Sequence, residues 1–212
     1  MKKRLRVLFL AAVITVFAAG CRSTLGPALE LEEYRKNVQE FDYGAVYDEE
    51  GGYHYPGIAW SMTLDEIQVL TREAVTNVTG VDEAGNVVFH AEYLKALASG
   101  RKNSDAQVGT DANSVCNGVM LVYGAADLSE GEIGQSALYE FLVGKFTALY
   151  GAPDETKQSA SPLNDGTKAE VEESIWTKDL SNGSISRMVV SKAYVSYTGE
   201  PDYVSIAFSN DR

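Results

Sequence analysis

The chain has 212 residues and a formal net charge of −12, and 45% of its residues are hydrophobic. This hydrophobic content excludes a chain that is disordered throughout, and the length suits one domain or two small ones. The excess of carboxylates would be repelled by a phosphate backbone, so we expect no nucleic acid partner.

The N-terminal segment joins a basic start to a short apolar run. Four of the first six residues are Lys or Arg, and residues 7–19 are apolar except for Thr15. The run is too short to cross a bilayer, because a spanning helix needs about 20 apolar residues. The succession of basic, apolar and small residues predicts a secretory signal peptide over residues 1–20.

The end of this segment, Ala18-Ala19-Gly20-Cys21, resembles the lipobox of bacterial lipoproteins. In that class a diacylglyceryl group is joined to the cysteine sulfur, and the chain is cleaved just before it. The resemblance implies a lipid anchor on Cys21 with acyl chains such as palmitate. It also implies a location at the cell membrane or the outer membrane, with the domain outside the cytoplasm. The alternative is an ordinary signal peptide that leaves Cys21 as a free thiol.

We expect the mature chain to consist of a tether and one α+β domain. Residues 21–28 form the tether, and residues 29–212 form the domain. Within it, residues 29–56 hold an N-terminal helix and an aromatic region, and residues 57–212 form the main body. The helix is expected over residues 29–41, where apolar residues recur at spacings of three and four.

Five aromatic residues of this region lie within 18 positions, and they are Tyr43, Tyr47, Tyr53, Tyr55 and Trp60. If they are exposed together, they form a platform that binds a glycan or an extended peptide, since rings give contact area at low entropic cost. The alternative is a hairpin around residues 48–52 whose alternate rings face the core. The acidic run Asp48-Glu49-Glu50 is interpreted as a solvated turn, because it lacks the alternating ligands of a calcium loop.

The sharpest local signal in the mature chain is the start of a helix near Leu64. Thr63 and Glu66 form a T-x-x-E capping box, in which each side chain accepts a bond from the other residue's backbone N–H. The helix is expected to bury Ile67 and Leu70.

The residues around this capping box read Trp-Ser-Met-Thr-Leu-Asp-Glu-Ile over 60–67. They resemble the W-G-M-[ST]-x-x-E-[VI] opening of small secreted bacterial lipoproteins of unknown function, with Ser61 in place of the glycine. They are also similar to the G-M-T-x-x-E-V start of the SmpA/BamE-like family. Members of that family are outer-membrane lipoproteins with two helices on a small antiparallel sheet, and they support assembly of β-barrel proteins. The resemblance implies a related fold and carries over no site residues.

The middle of the chain is expected to hold three strands. Residues 74–81 and 87–90 read as paired strands. Residues 115–123 read as a strand buried on both faces, because their apolar run is almost continuous. Residues 91–99 fit either a helix or a strand. Residues 100–114 are rich in polar residues and are predicted as a loop.

The last third of the chain is expected to hold a helix and then an antiparallel meander. The helix spans residues 137–150, and its apolar face carries Leu138, Phe141, Leu142, Phe146, Leu149 and Tyr150. Gly151 and Pro153 end it. Residues 154–170 are predicted as a second polar loop. Ser181-Asn182-Gly183-Ser184 predicts a two-residue type I′ hairpin turn.

These elements predict an α+β fold, with two or three helices packed on one face of an antiparallel sheet. Each helix has a single apolar stripe to bury, and one face of a sheet offers the surface for it. A helix followed by strands occurs twice, over residues 64–123 and 137–208, so the domain can also be described as two such halves.

The sequence carries none of the common catalytic motifs. It has two histidines, His54 and His90, and one cysteine besides Cys21. That cysteine, Cys116, lies in an apolar strand and is interpreted as a buried residue rather than a nucleophile. We therefore expect no catalytic residue, no metal site and no cofactor.

The expected function is that of a non-catalytic binding or scaffold module, held to the membrane by the lipid on Cys21. Its partner would be an envelope protein or a cell-wall glycan. Two alternatives stay open at this point. One is an envelope hydrolase that uses a histidine and a carboxylate, and the other is a protein that acts like an inhibitor or an assembly factor.

Overall fold

The computed structural model describes eight stretches of the chain. They are residues 42–71, 78–81, 87–90, 104–111, 113–124, 134–162, 168–195 and 201–211. The predicted signal peptide, the lipidation site Cys21, the tether and the helix over residues 29–41 lie outside the described residues. The segment 91–99 lies outside them too, so its assignment stays a prediction.

The described residues form two α-helices, one 3₁₀ helix and ten strands. The helices are the 3₁₀ helix Tyr43–Val46, α1 Leu64–Thr71 and α2 Gln135–Tyr150. The strands are β1 Tyr47–Asp48, β2 Gly52–Tyr53, β3 Val78–Val81, β4 Val87–His90, β5 Ser104–Thr110, β6 Cys116–Gly124, β7 Glu155–Pro162, β8 Lys168–Asp179, β9 Ile185–Tyr194 and β10 Tyr203–Asp211. β1 and β2 form a small hairpin, and the other strands form one antiparallel sheet in the order β3-β4-β5-β6-β10-β9-β8-β7.

The large sheet consists of two four-stranded meanders. Strands β3 to β6 follow α1, strands β7 to β10 follow α2, and the two meanders join where β6 pairs with β10. This order agrees with the predicted succession of a helix and then strands. The molecule is nevertheless mostly β, so the predicted α+β class holds only in its coarser form, an antiparallel sheet with a few helices.

Two segments predicted as polar loops are strands, and β5 is the first. It lies within the predicted loop 100–114, between β4 and β6, and its residues Ala106 and Val108 are fully buried. Both backbone edges of β5 are paired with a neighbouring strand. This pairing stabilises a strand of polar composition, and local sequence does not reveal it.

The second segment is β7, within the predicted loop 154–170. It is the terminal strand of the sheet and pairs with β8 from Glu155 to Pro162 without a break. Residues 155–160 are exposed or half-buried. A terminal strand with both faces in water can be polar throughout, so it lacks the alternation by which half-buried strands are recognised.

One hydrophobic core lies between the helices and one face of the large sheet. The sheet contributes Leu121, Val190 and Phe208 among others, and α2 contributes Leu142. Ile67 of α1 belongs to the same cluster, so both described α-helices share one core. Complete burial of a side chain of this size contributes about 1.5–3 kcal/mol to stability.

The predicted capping box is confirmed. The N–H of Thr63 donates to Glu66 Oε2 at 2.8 Å, and the N–H of Glu66 donates to Thr63 Oγ1 at 3.3 Å. The bond from the Thr63 backbone is the main reason why the pKa of Glu66 is lowered. Helix α1 begins at Leu64 and buries Ile67 completely, whereas the side chain of Leu70 lies outside the described residues.

Helix α2 confirms the helix predicted over residues 137–150 and begins two residues earlier, at Gln135. Leu142 is buried as expected, but Leu149 is 50% exposed. The apolar face of the helix is therefore narrower than the sequence predicted. Gly151 follows the helix, and its N–H donates to a carbonyl of the last turn at 3.0 Å.

The turn between β8 and β9 lies at the predicted position but has a different geometry. The N–H of Gly183 donates to Leu180 O at 2.9 Å, and the N–H of Leu180 donates to Ser184 O at 2.9 Å. Gly183 has φ +81°, and the only described residue other than glycine with a positive φ is Ser114. Asn182 therefore keeps a negative φ. The turn is a type I turn followed by a bulge at the glycine, because a type I′ turn needs two residues with positive φ.

Candidate functional site

The side chain of Asp48 stabilises the turn of the small β1–β2 hairpin. Its Oδ1 accepts the backbone N–H groups of Glu50, at 2.9 Å, and of Gly51. An aspartate that bonds its own backbone in this way closes a turn without help from the rest of the protein. The acidic run is thus a turn, as predicted, and Asp48 fixes its geometry.

Ser186 of β9 holds this hairpin on the large sheet. The N–H of Tyr53 donates to Ser186 Oγ at 2.7 Å, and the Ser186 hydroxyl donates to Tyr53 O at 2.8 Å. Gly52 permits the close approach, since it has φ +67° and a Cβ there would lie 2.7 Å from the Ser186 Cβ. Because Ser186 is fully buried, one hydroxyl satisfies both polar groups of a buried backbone residue.

Four of the five aromatic residues considered as a binding platform lie in the core. These are Tyr43, Tyr53, Tyr55 and Trp60, each 5–7% exposed. The fifth, Tyr47, is half-buried, and its ring centroid lies 5.2 Å from that of Tyr53 and 5.7 Å from that of Tyr150. The rings therefore do not form an exposed platform. Their burial agrees with the alternative, in which the rings of the hairpin face the core.

Burial also keeps the phenols beside the hairpin protonated. It raises the pKa of Tyr53 and that of Tyr150 to about 12. The Tyr150 hydroxyl donates to Tyr43 O at 2.6 Å, which ties the end of α2 to the 3₁₀ helix. Both phenols therefore stay protonated at neutral pH, and the Tyr150 hydroxyl acts as a hydrogen-bond donor within the fold.

His54 and Asp48 form a pair of a histidine and a carboxylate. The Nε2 atom of His54 lies 2.8 Å from Asp48 Oδ2, and its Nδ1 atom lies 3.2 Å from Tyr55 O. Both partners are acceptors, so both bonds are made when each ring nitrogen carries a proton. The pKa of Asp48 is lowered below its ordinary value of 3.8, first by the N–H of Gly51 and further by His54.

An open cleft of about 680 Å³ lies beside the hairpin. It is lined by the acidic run 48–50 and His54, by the apolar side chains of Ile58, Trp60 and Leu180, and by Asn182 and Asn210. We call the exposed acidic run the rim, and the buried residues Ile58, Trp60, Leu180 and Asn210 the floor. The cleft thus combines charge at its opening with an apolar floor.

Sequence analysis named Trp60 and His54 of this cleft, interpreted the acidic run only as a solvated turn, and missed the floor residue Asn210. Val204, Ile206 and Phe208 alternate along β10 and are buried in the core, and Asn210 continues that alternation. It is itself only 6% exposed. A polar residue at the next inward-facing position of an apolar strand is the signal that points to it.

The other residues considered for chemistry lie elsewhere. His90 ends β4 opposite Gln107 of β5, and its side chain lies outside the described residues. Cys116 begins β6 and is fully buried, as predicted, and its Sγ atom lies 3.9 Å from Gly118 O. Within the described stretches, no group of three or more His, Cys, Asp or Glu side chains is placed to hold a metal ion.

Two further findings bear on the class of protein. In the part of the chain that the structure describes, none of the helices is long and apolar enough to span a bilayer. No known protein family, no curated protein and no solved structure matches this chain. The function therefore has to be inferred from the sequence and from the cleft.

Proposed function

We propose that this protein is a lipid-anchored lipoprotein of the cell envelope that acts as a non-catalytic binding or scaffold module. The observation that carries the non-catalytic part is the position of His54, whose ring nitrogens face two acceptors, the Asp48 carboxylate and the carbonyl of Tyr55. A general base needs a ring nitrogen within reach of a substrate proton. Here each ring nitrogen lies against an acceptor that carries no proton to abstract, so a substrate proton would first have to displace that acceptor.

The cleft supports the binding part of the proposal. Its volume of about 680 Å³ lies within the range of about 300–1,000 Å³ that is common for ligand sites. Such sites combine an apolar lining with a few polar groups that orient the ligand. The expected partner is an envelope protein or a cell-wall component that reaches this cleft.

The lipid anchor is supported by the lipobox that ends at Cys21. Acyl chains contribute about 0.8 kcal/mol per buried CH₂ group, and two or more chains give stable attachment. Cleavage at the lipobox would remove four positive charges and change the formal net charge from −12 to −16. Anionic headgroups would repel such a domain, so we expect it to stand away from the membrane at the end of its tether.

One observation favours a second candidate, an envelope hydrolase. His54 and Asp48 lie 2.8 Å apart and line the same cleft. In a catalytic pair of this kind, the carboxylate orients one ring nitrogen and the other nitrogen faces the nucleophile. In this protein the other nitrogen faces the Tyr55 carbonyl, which is an acceptor and carries no proton to abstract.

A turnover assay separates the two candidates. The full, lipidated protein and its His54→Asn variant would be incubated with ester, amide and glycosidic fragments of the envelope. The proposed function predicts that neither protein turns over any fragment. Turnover by the native protein that the His54→Asn variant lacks would contradict the proposal and assign the cleft to hydrolysis.

A further inference from the structure

The rim of the cleft offers acceptors that the hairpin does not use. The Asp48 carboxylate already bonds the turn and His54. The exposed Glu50 carboxylate has no partner among the described residues. The Glu49 carboxylate lies 3.6 Å from Lys178 Nζ, and the Glu49 side chain is 83% exposed. An ion pair in water contributes little, so Glu49 can exchange it for a better donor.

The floor offers one more acceptor, at Asn210. This residue is 6% exposed and lines the cleft, and its Oδ1 atom has no hydrogen-bond partner among the described residues. A buried acceptor without a donor is costly, so a donor that enters the cleft would be favoured there. Asn210 lies in β10, where it pairs with Ser186 of β9 one residue beyond the last pair of β10 with β6, so its backbone is held on the β9 side.

The remaining surface of the floor is apolar. It comes from Ile58, Trp60 and Leu180, which are 1%, 6% and 8% exposed. An apolar floor beneath a charged rim suits a long basic side chain, which packs its methylene stem on apolar atoms and bonds through its head. The ligand that fits is therefore cationic, rich in donors and partly apolar.

We propose that the cleft binds the guanidinium group of an arginine side chain on a partner polypeptide. A guanidinium carries five N–H donors in a planar fork and no acceptor, which matches carboxylates at the rim and an amide oxygen at the floor. Anionic ligands would be repelled by the acidic run, and a metal ion would lack the clustered ligands that it needs. The proposal names the ligand class of the proposed binding module and rests on that function.

The two tryptophans of the chain provide a test with an internal control. Trp60 lines the cleft and its indole N–H donates to Gly51 O at 3.0 Å, whereas Trp176 is buried in the core and donates to Gly151 O at 2.9 Å. The full, lipidated protein would be labelled with ¹⁵N at tryptophan in a non-ionic detergent. It would then be titrated with Nα-acetylarginine amide, and in parallel with the citrulline and lysine analogues.

The proposal predicts a saturable shift of the Trp60 indole signal with the arginine analogue, while the Trp176 signal stays in place. Citrulline has the same shape without the charge and should give no saturable shift. Salt should weaken arginine binding, because the rim is exposed and its charges are screened. Glu50→Gln should weaken it by up to about fivefold, the upper end of what one exposed charge pair contributes.

Matched variants separate the site from the general acidity of the protein. Glu170→Gln removes the same charge from an exposed position of β8 outside the cleft, and it should leave arginine binding unchanged. Asn210→Leu removes the floor acceptor and keeps the branching and the number of side-chain heavy atoms. It should weaken binding, and an unshifted Trp176 signal would show that this variant is folded.

Three results would overturn the proposal. They are no shift at Trp60, an equal shift with citrulline, and binding of the lysine analogue as tight as that of arginine. Each of these rejects the arginine ligand without deciding whether the protein is a binding module. That question is answered separately, by the turnover assay and by the recovery of a partner from cells.

Discussion

Two residues, Ser186 and Asp48, each bond two partners and so stabilise the β1–β2 hairpin and its attachment to the large sheet. Ser186 bonds both the N–H and the carbonyl of Tyr53, and Asp48 closes the turn and also bonds His54. Substituting such a residue removes two interactions at once. The loss in free energy of unfolding is largest where the groups left without a partner are buried, because water cannot replace the lost hydrogen bonds.

Ser186→Ala should lower the free energy of unfolding by about 1–3 kcal/mol, the cost of leaving buried polar groups unsatisfied. Both polar groups of the Tyr53 backbone lose their partner in this variant, and Ser186 itself is fully buried. Urea denaturation of the two proteins measures the difference. Ser159→Ala, at a half-buried position of the terminal strand β7, serves as the control and should change stability by less than about 0.5 kcal/mol. Equal effects of the two substitutions would show that Ser186 does not hold the hairpin.

The charge of Asp48 should make part of the stability depend on pH. Its pKa is lowered in the folded protein, so its contribution is present above the ordinary pKa of 3.8 and is lost as the pH falls through the folded-state value. Asp48→Asn keeps an oxygen that can close the turn and removes the charge. We expect the variant to melt at a lower temperature than the native protein at about pH 7, and the two melting temperatures to converge as the pH falls from 3.8 through the folded-state pKa of Asp48. A difference that stays constant over this range would exclude a role for the charge.

At the scale of helices and strands, the success of sequence analysis depended on whether the signal is local. The capping box at Thr63 lies within four residues, and both the box and the start of α1 are confirmed. β5 and β7 were predicted as loops because of their polar composition. They are strands because they pair with β4, β6 and β8. Such pairing is made with residues outside the segment itself, and the composition of the segment does not report it.

Two leucines of helix α2 test which side of the helix packs in the core. Leu142 is 1% exposed and Leu149 is 50% exposed. Leu142→Ala should lower the free energy of unfolding by about 2–5 kcal/mol, because it leaves a cavity in the core. Leu149→Ala should change it by less than about 0.5 kcal/mol, since exposed positions contribute little. Chemical denaturation of both variants measures these changes. A large loss of unfolding free energy in Leu149→Ala would contradict the narrow apolar face of α2.

At the scale of the whole molecule, the cleft could not be predicted from the sequence. It joins the acidic run 48–50 to Asn182 and Asn210, which the chain brings together only when the hairpin docks on β9. The lipobox, in contrast, is a continuous motif that ends at Cys21, and the sequence alone predicts the anchor. The anchor therefore stays a prediction from the sequence. The succession of a helix and then strands was predicted apart from β5 and β7, and the candidate site required the fold.

The central claim is that this protein is an anchored binding module, and recovery of a partner tests it most directly. Cells that produce either the native protein or the Cys21→Ser variant would be cross-linked and fractionated, and the captured material would be compared. The account predicts that the native protein lies in the membrane fraction with a discrete envelope partner, and that the variant leaves this fraction and loses the partner. A variant that remains membrane-bound, or a native protein that captures nothing beyond what the variant captures, would contradict the account.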